Sequence, residues 1–317
     1  MRTPRRCLVV AGAALLTLLA GCRGTGTQEG NGQSLLGRPL GRTTFDDATR
    51  VRLEGQLAAA YARWLADSAD EDAIIWYGRR LAYLSRYDEA IDVYTRGLKL
   101  HPRSARLLRH RGHRYISIRQ FDHAIADFRQ AQQTGQPNQI EQDGAPNKYN
   151  VPLTTTYGNI LYHLGLAYYL SGDYERALEA YDARLDIDAN DDNVVSTAYW
   201  RYLILQRLGR RDAARAAVAG VHESMRILEN NVYQQLCLLY NGTLSRQDFD
   251  RAPAAGEGTS PASVLGATAS YGLSMFDYHR GDRGAARALW EEIVASDGQY
   301  AFGTIAAEAE LARLPAE

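Results

Sequence analysis

Apolar residues recur at intervals of three and four along most of the chain beyond residue 46. The segment ATRVRLEGQLAAAYARWLADS, for example, places Leu53, Leu57, Tyr61 and Trp64 on one face of a helix. Such spacing is typical of amphipathic helices. We therefore expect a helical body over residues 47–317, with this first helix as its amino-terminal cap.

The helical pattern repeats itself with a period of 34 residues. Each copy has a glycine inside its first helix, an alanine near the start of its second helix, and an aromatic residue four positions later. The first three copies carry these residues as Gly78, Ala90 and Tyr94, as Gly112, Ala124 and Phe128, and as Gly165, Ala177 and Tyr181. Glycine and alanine let paired helices approach closely, so the pattern predicts stacked helical hairpins.

These small and aromatic positions resemble those of the tetratricopeptide repeat. The match is close in copies that start near Glu71, Ala105 and Gly158, and weaker around LGRRDAARAA and DYHRGDRGAARALW. The resemblance implies an all-α fold, a right-handed α-solenoid of helix–turn–helix repeats with amino- and carboxy-terminal capping helices. The segment AFGTIAAEAELARL is the expected carboxy-terminal cap.

The first 22 residues follow a different pattern. The segment MRTPRRCLVVAGAALLTLLAGC has three arginines, then an uncharged apolar run from Leu8 to Ala20, then small residues, as export signals do. As a helix the run reaches about 20 Å, which is short of the roughly 30 Å membrane core. The ending LLAGC resembles the bacterial lipobox, which implies a signal peptide over residues 1–21 and lipidation of Cys22. An ordinary secretory signal with an incidental cysteine is the alternative.

The resemblance to lipoproteins also bears on location. By the sorting rule of Gram-negative lipoproteins, Arg23 after the cysteine favours the outer membrane, so we expect a lipid-anchored body that faces the periplasm. Residues 22–46 contain RGTGTQEGNGQ and lack periodicity. We predict that they form a flexible tether with a reach of roughly 25 Å.

One spacing departs from the repeat period. Gly112 and Gly165 are separated by one period plus 19 residues. The excess lies in GQPNQIEQDGAPNKYNVPLTTT, residues 135–156, which contains three prolines. Two interpretations remain open: a tolerated surface insertion, or a loop that folds across the groove of the solenoid and gates it.

The charge is nearly balanced except in one stretch. Removing the signal takes away three of the 36 basic residues and none of the 37 acidic ones, so the mature chain is mildly acidic. The segment RHRGHRYISIR, residues 109–119, nevertheless contains four arginines and two histidines without an acid. Positive charge around His110 and His113 opposes a metal site, and export with an acidic chain disfavours nucleic acid. We predict no metal, no cofactor and no nucleic-acid partner.

The resemblance assigns a register in which certain positions of each repeat face the concave groove. It implies a partner-binding groove with tyrosines as apolar anchors and with arginine and histidine for charge. The residues assigned to this groove are Arg79, Tyr83, Arg106, Arg109, His113, Tyr162, His163 and Tyr169. An acidic or carboxylate-ended peptide would suit such a groove, because arginine binds carboxylates in bidentate fashion. The alternative is that these arginines face solvent or pair with acids of neighbouring repeats such as Asp88 and Glu89.

The motifs of common catalytic sites are missing from the sequence. There is no G-x-S-x-G, no H-E-x-x-H, no P-loop and no cysteine pair at metal spacing. We therefore expect a lipid-anchored envelope scaffold that binds a protein or peptide in its groove, and no enzyme. Two alternatives stay open: a structural subunit of an outer-membrane or pilus assembly machine bound through its convex face, and an enzyme with an unrecognised site.

Overall fold

The computed structural model describes residues 31–137, 151–187, 190–251 and 263–315. Within these ranges the chain forms fourteen helices and no extended sheet. They are α1 (Asp47–Ala66), α2 (Glu71–Tyr83), α3 (Tyr87–Leu100), α4 (Ala105–Ser117), α5 (Phe121–Thr134), α6 (Thr156–Ser171), α7 (Tyr174–Leu185), α8 (Asp191–Arg207), α9 (Arg211–Ala219), α10 (Asn231–Tyr240), α11 (Arg246–Arg251), α12 (Val264–His279), α13 (Arg283–Ala295) and α14 (Phe302–Arg313). None of these helices is long and apolar enough to cross a membrane.

Five pairs of consecutive helices form hairpins: α2 with α3, α4 with α5, α6 with α7, α8 with α9, and α12 with α13. Each of the first three hairpins packs against the next along the chain, α10 bridges α8 and α12, and α1 covers α2. The predicted all-α solenoid is confirmed. Its first three repeats begin at or within two residues of Glu71, Ala105 and Gly158.

The glycine and aromatic positions of the repeat interlock inside each hairpin. A methyl group added to Gly78 would lie 2.4 Å from the ring of Tyr94, and one added to Gly165 would lie 2.6 Å from the ring of Tyr181. Real Cβ atoms do not approach other atoms that closely. The ring of the second helix therefore packs directly on the backbone of the first helix, which explains the pairing of glycine with an aromatic residue.

The turn inside each hairpin passes through the left-handed backbone region. Three hairpins place glycine there, namely Gly172 (φ 89°), Gly209 (φ 72°) and Gly281 (φ 96°). The first two hairpins instead have Ser85 (φ 55°) and Arg119 (φ 64°) at this position. A side chain is strained in that region. Both turns are bound by distant residues: Asn31 donates to the Ser85 carbonyl oxygen, and Arg119 pairs with Glu308.

Residues 31–41, here called the strap, pack against the solenoid. Asn31 is 4% exposed; its Nδ2 donates to the Ser85 carbonyl oxygen (2.8 Å) and to the Tyr300 hydroxyl (2.6 Å). Its Oδ1 accepts from the backbone N–H of Tyr87 (3.0 Å). A flexible tether was expected over residues 22–46, but from Asn31 onward the chain is docked. An aperiodic segment held by hydrogen bonds to distant residues leaves no pattern that sequence reasoning could detect.

The last helix, α14, lies against the inner face of the solenoid. It follows α13 as the predicted cap does, packs on α12 and α13, and reaches α6. Two acids on it are buried, Glu308 at 2% exposure and Glu310 at 3%, and they pair with Arg119 and Arg207. Part of the inner face is thus covered by the chain itself.

Candidate functional site

The arginines of the basic stretch on α4 mostly hold neighbouring helices. Arg111 forms a bidentate pair with Asp127 on α5 (2.7 and 2.8 Å). Arg109 donates from Nε to the Asn159 side-chain oxygen on α6 (3.3 Å). The guanidinium of Arg114 lies 5.3 Å from the centre of the Tyr87 ring. The stretch therefore joins three repeats, and part of its positive charge is neutralised by Asp127 within the protein.

Arg106 is the clearest example of a paired groove residue. Its guanidinium bonds Asp72 at 2.8 Å and Glu71 at 3.4 Å, both at the start of α2. Pairing with acids of a neighbouring repeat was the alternative interpretation, although the acids expected there were Asp88 and Glu89. Arg106 therefore has little free charge to offer a partner.

Arg79 and Tyr83, two of the residues assigned to the groove, lie together on α2. Arg79 stacks over Trp76 at 4.5 Å and donates from Nη2 to the Tyr83 hydroxyl at 2.7 Å. The second terminal nitrogen of Arg79, Nη1, is enclosed and has no partner. Neither Arg79 nor Arg114 pairs with a carboxylate among the described residues. These two guanidinium groups are the part of the predicted basic surface that remains without an acid.

His113 and His163 meet at the inner face, with ring centres 4.5 Å apart. Burial lowers the pKa of His113 well below its usual value, and the charge of Arg114 adds to the effect. Burial and the charge of Arg109 lower the pKa of His163 to about 3. Both rings are neutral near pH 7. In the described parts of the chain, no three His, Cys, Asp or Glu residues are grouped so as to hold a metal ion.

Tyr169 does not face an open groove. It is fully buried, and its hydroxyl shares a hydrogen bond of 2.6 Å with that of Tyr271 on α12. Arg313 of α14 donates to its backbone oxygen (3.2 Å). The resemblance assigned Tyr169 to the concave groove, but α12 and α14 cover this residue. It serves the core and is no anchor for a partner.

A cavity of about 310 Å³ remains open between the first turns of α6, α8, α10 and α12. Two predicted groove residues, Tyr162 and His163, line it. Sequence reasoning did not assign the other residues of its lining, which include Asn159, Arg184, Asn193, Asn230, Tyr233, Val264, Leu265 and Thr268. They come from five helices, α6, α7, α8, α10 and α12, of which α10 lies outside the repeat hairpins, so no spacing in the sequence brings them together.

Arg184 organises the polar wall of this cavity. It is 4% exposed, and its Nη2 donates to the Asn193 side-chain oxygen at 2.6 Å while Nη1 donates to the Asn193 backbone oxygen at 3.1 Å. Its Nε donates to the Gly158 carbonyl oxygen at 3.3 Å. Arg184 thereby ties the start of α6 to the start of α8. The wall is held in one geometry before any ligand arrives.

Two asparagines of the cavity keep unused hydrogen-bonding capacity. Asn159 accepts from Arg109 through its oxygen, and its Nδ2 donates to no described residue. Asn230 donates to the Asp192 carbonyl oxygen (2.9 Å), and its Oδ1 accepts from no described residue. The cavity therefore offers one free amide donor and one free amide acceptor.

The remaining wall is aromatic and aliphatic. Tyr162 and Tyr233 share a hydrogen bond between their hydroxyls (2.8 Å), and Trp200 donates to the Tyr162 hydroxyl (3.1 Å). At the mouth, Val264 is 66% exposed and Leu265 is 38% exposed. Burial raises the pKa of both tyrosines, so this wall is uncharged near pH 7.

Comparisons with known proteins agree with the fold. The tetratricopeptide repeat family model matches residues 158–191, the third repeat. A tetratricopeptide repeat protein from Parabacteroides merdae is similar in structure, with 14% identity, a TM-score of 0.50, and coverage of 78% of this chain and 88% of that one. YrrB, described as a TPR protein with an unusual peptide-binding site, has 15% identity and a TM-score of 0.41, covering 74% of this chain and 91% of that one. No curated protein sequence matches the chain.

The family model therefore identifies one tetratricopeptide repeat, at residues 158–191, and the five hairpins repeat this helix–turn–helix architecture along the chain. Proteins of this fold generally act as non-catalytic scaffolds that bind other proteins. At 14% identity, the similarity to the Parabacteroides merdae protein shows the fold alone.

Proposed function

We propose that the protein is a lipid-anchored adaptor of the bacterial cell envelope that binds an extended peptide segment of a partner protein. The binding site is the cavity between the first turns of α6, α8, α10 and α12. One observation carries the proposal: this cavity combines an exposed apolar mouth with a free amide donor and a free amide acceptor.

A peptide backbone matches these polar groups. Its carbonyl oxygen would accept from Nδ2 of Asn159, and its N–H would donate to Oδ1 of Asn230. An apolar side chain of the peptide would then lie against Tyr233 and Leu265, where burying it stabilises the complex by about 25 cal/mol per Å² before association costs. The neutral His163 adds no charge to this part of the site.

An acidic residue of the same peptide would find a second contact next to the cavity. Arg109 bonds Asn159 and so connects the cavity to α4. Beyond it lie Arg79 and Arg114, the two guanidinium groups without a carboxylate among the described residues. Both side chains are partly exposed, so an anionic group could form charge-assisted hydrogen bonds with them.

The location in the envelope rests on the amino-terminal sequence. Residues 1–21 have the composition of an export signal, and LLAGC resembles a lipobox that ends at Cys22. Arg23 favours the outer membrane, with the body in the periplasm. Residues 1–30 lie outside the described residues, and so do residues 138–150, the greater part of the loop that was predicted either to gate the groove or to be a surface insertion.

Filling the cavity tests the proposal. Thr268→Trp places an indole in the cavity from a partly exposed position, and Thr243→Trp makes the same change in an exposed turn on another surface. Peptides selected from a random library on the mature chain should bind the Thr243→Trp variant normally and lose at least tenfold in affinity for Thr268→Trp. Equal affinities would place the peptide site elsewhere.

A second candidate, a structural subunit that assembles through its outer surface, is favoured by the exposed side of α1. Val51 and Leu65 on this helix are 61% and 60% exposed. If this surface carries the function, Val51→Glu with Leu65→Glu should abolish association with envelope proteins, whereas Thr268→Trp should leave it unchanged.

A further inference from the structure

The strap links the first repeat to the last helix. The Gly41 carbonyl oxygen accepts from Nε2 of Gln299 (3.0 Å) and from the Tyr300 hydroxyl (2.5 Å). The backbone N–H of Leu35 donates to the buried Glu308 (3.3 Å). With the bonds of Asn31 to the first hairpin, these contacts fasten the strap at both ends of the solenoid. The chain therefore enters the folded body at a fixed point.

This fixed point shortens the tether. Only the eight residues 23–30 separate Cys22 from Asn31. Even fully extended, this length of chain spans only about 30 Å. The earlier expectation of a tether that continues to residue 46 would allow the body to turn freely, and the docked strap removes that freedom.

The strap and the cavity lie at opposite ends of α6. Leu35 of the strap shares one surface depression with Leu170 and Ser171, at the last turn of α6, and with Arg119 at the end of α4. Asn159, in the first turn of the same helix, lines the cavity. A helix of 16 residues is about 24 Å long. Turning the cavity toward the anchor would therefore stretch the tether to nearly its full length.

The strap also carries an exposed positive charge. Arg38 on the strap is exposed and forms no ion pair with any described residue. Anionic lipid headgroups would attract this arginine.

We infer that the strap orients the anchored protein, with the edge formed by the strap and the ends of α4 and α6 against the lipid surface and the cavity facing away from it. This inference rests on the lipid anchor of the proposed function. A partner would then reach the cavity from the side remote from the anchoring membrane. The strap is a positioning device, and it holds the peptide site clear of the lipid headgroups.

Distance-dependent quenching tests the orientation. Cys237 is buried and Cys22 would carry lipid, so a single surface cysteine can be labelled in the lipidated full-length protein. Gln120→Cys puts a dye beside the strap, and Val264→Cys puts one at the cavity mouth. In vesicles of phosphatidylethanolamine and phosphatidylglycerol with a headgroup quencher, quenching at position 120 should exceed that at position 264 at least twofold. Inserting twenty glycine and serine residues after Gly30 should remove the difference.

The controls separate this inference from the anchor itself. The lipidated protein should float with the vesicles, and Cys22→Ala should not. Absence of flotation would overturn the lipid anchor and the orientation with it. Flotation with equal quenching at the two positions, or with stronger quenching at position 264, would overturn the orientation alone.

Discussion

Arg119 and Glu308, 189 positions apart, form a buried bidentate ion pair in which Nε and Nη2 lie 3.0 and 2.6 Å from the two carboxylate oxygens. Their side chains are only 2% and 3% exposed. Arg119 also occupies a left-handed turn that three other hairpins fill with glycine. The pair fixes α14 against the second repeat, so strain in one turn is offset by a contact that closes the solenoid.

Breaking this pair should be costly. Glu308→Gln leaves Arg119 buried without a counter-charge, and we expect the free energy of unfolding to fall by about 3–5 kcal/mol. Urea denaturation measures it. Glu291→Gln, which breaks the exposed pair with Arg287, is the control and should change stability by less than about 0.5 kcal/mol. Similar effects of the two substitutions would contradict the role of the buried pair.

Because aromatic rings pack on the repeat glycines, replacing glycine with alanine should change the stability of the fold in opposite directions at two positions. Gly165→Ala forces a methyl group against Tyr181 and should destabilise by about 1–3 kcal/mol. Gly55→Ala, on α1 with nothing within 4 Å of the added methyl group, should stabilise by up to about 1 kcal/mol. Thermal unfolding, monitored by circular dichroism, measures the stability of the two variants. A neutral Gly165→Ala would show that the ring does not pack as described.

The buried histidines should make stability depend on pH. The folded pKa of His163 is about 3, below its unfolded value of about 6.5. The unfolded state therefore binds the proton more readily, and the contribution of His163 is full above pH 6.5 and is lost as the pH falls toward 3. Between pH 7 and pH 5 we expect a loss on the order of 1–2 kcal/mol from this residue. His163→Gln should flatten that dependence in urea titrations, while the exposed His222→Gln should not.

The polar contacts of the cavity can be tested one at a time. Asn230→Ala removes the free acceptor, and we expect a selected peptide to bind about three- to tenfold more weakly, as one hydrogen bond contributes about 0.5–1.5 kcal/mol. Isothermal titration calorimetry gives the affinity. A peptide methylated at the N–H that pairs with Asn230 should bind the wild type and the variant equally. A persistent difference would mean that Asn230 acts only through the fold.

The repeat hairpins follow from local spacing, which is why Glu71 and Ala105 could be placed from the sequence. The strap and the inner position of α14 rest on contacts such as Arg119 with Glu308, and long-range pairs leave no periodic trace. Tyr169 shows the consequence for the site: it was assigned to the groove, but the helices that cover it could not be foreseen. The cavity was missed for a similar reason, because Asn159 and Asn230 belong to helices brought together only by folding.

Site-specific photocrosslinking in native membranes tests the central claim most directly. A photoreactive amino acid at position 265 lies at the cavity mouth, and one at position 51 lies on the outer side of α1. We predict that position 265 crosslinks to one short segment of a single envelope protein, identified by mass spectrometry, and that Thr268→Trp abolishes the adduct. Adducts at position 51 alone, or adducts at position 265 that survive Thr268→Trp, would contradict peptide binding in the cavity.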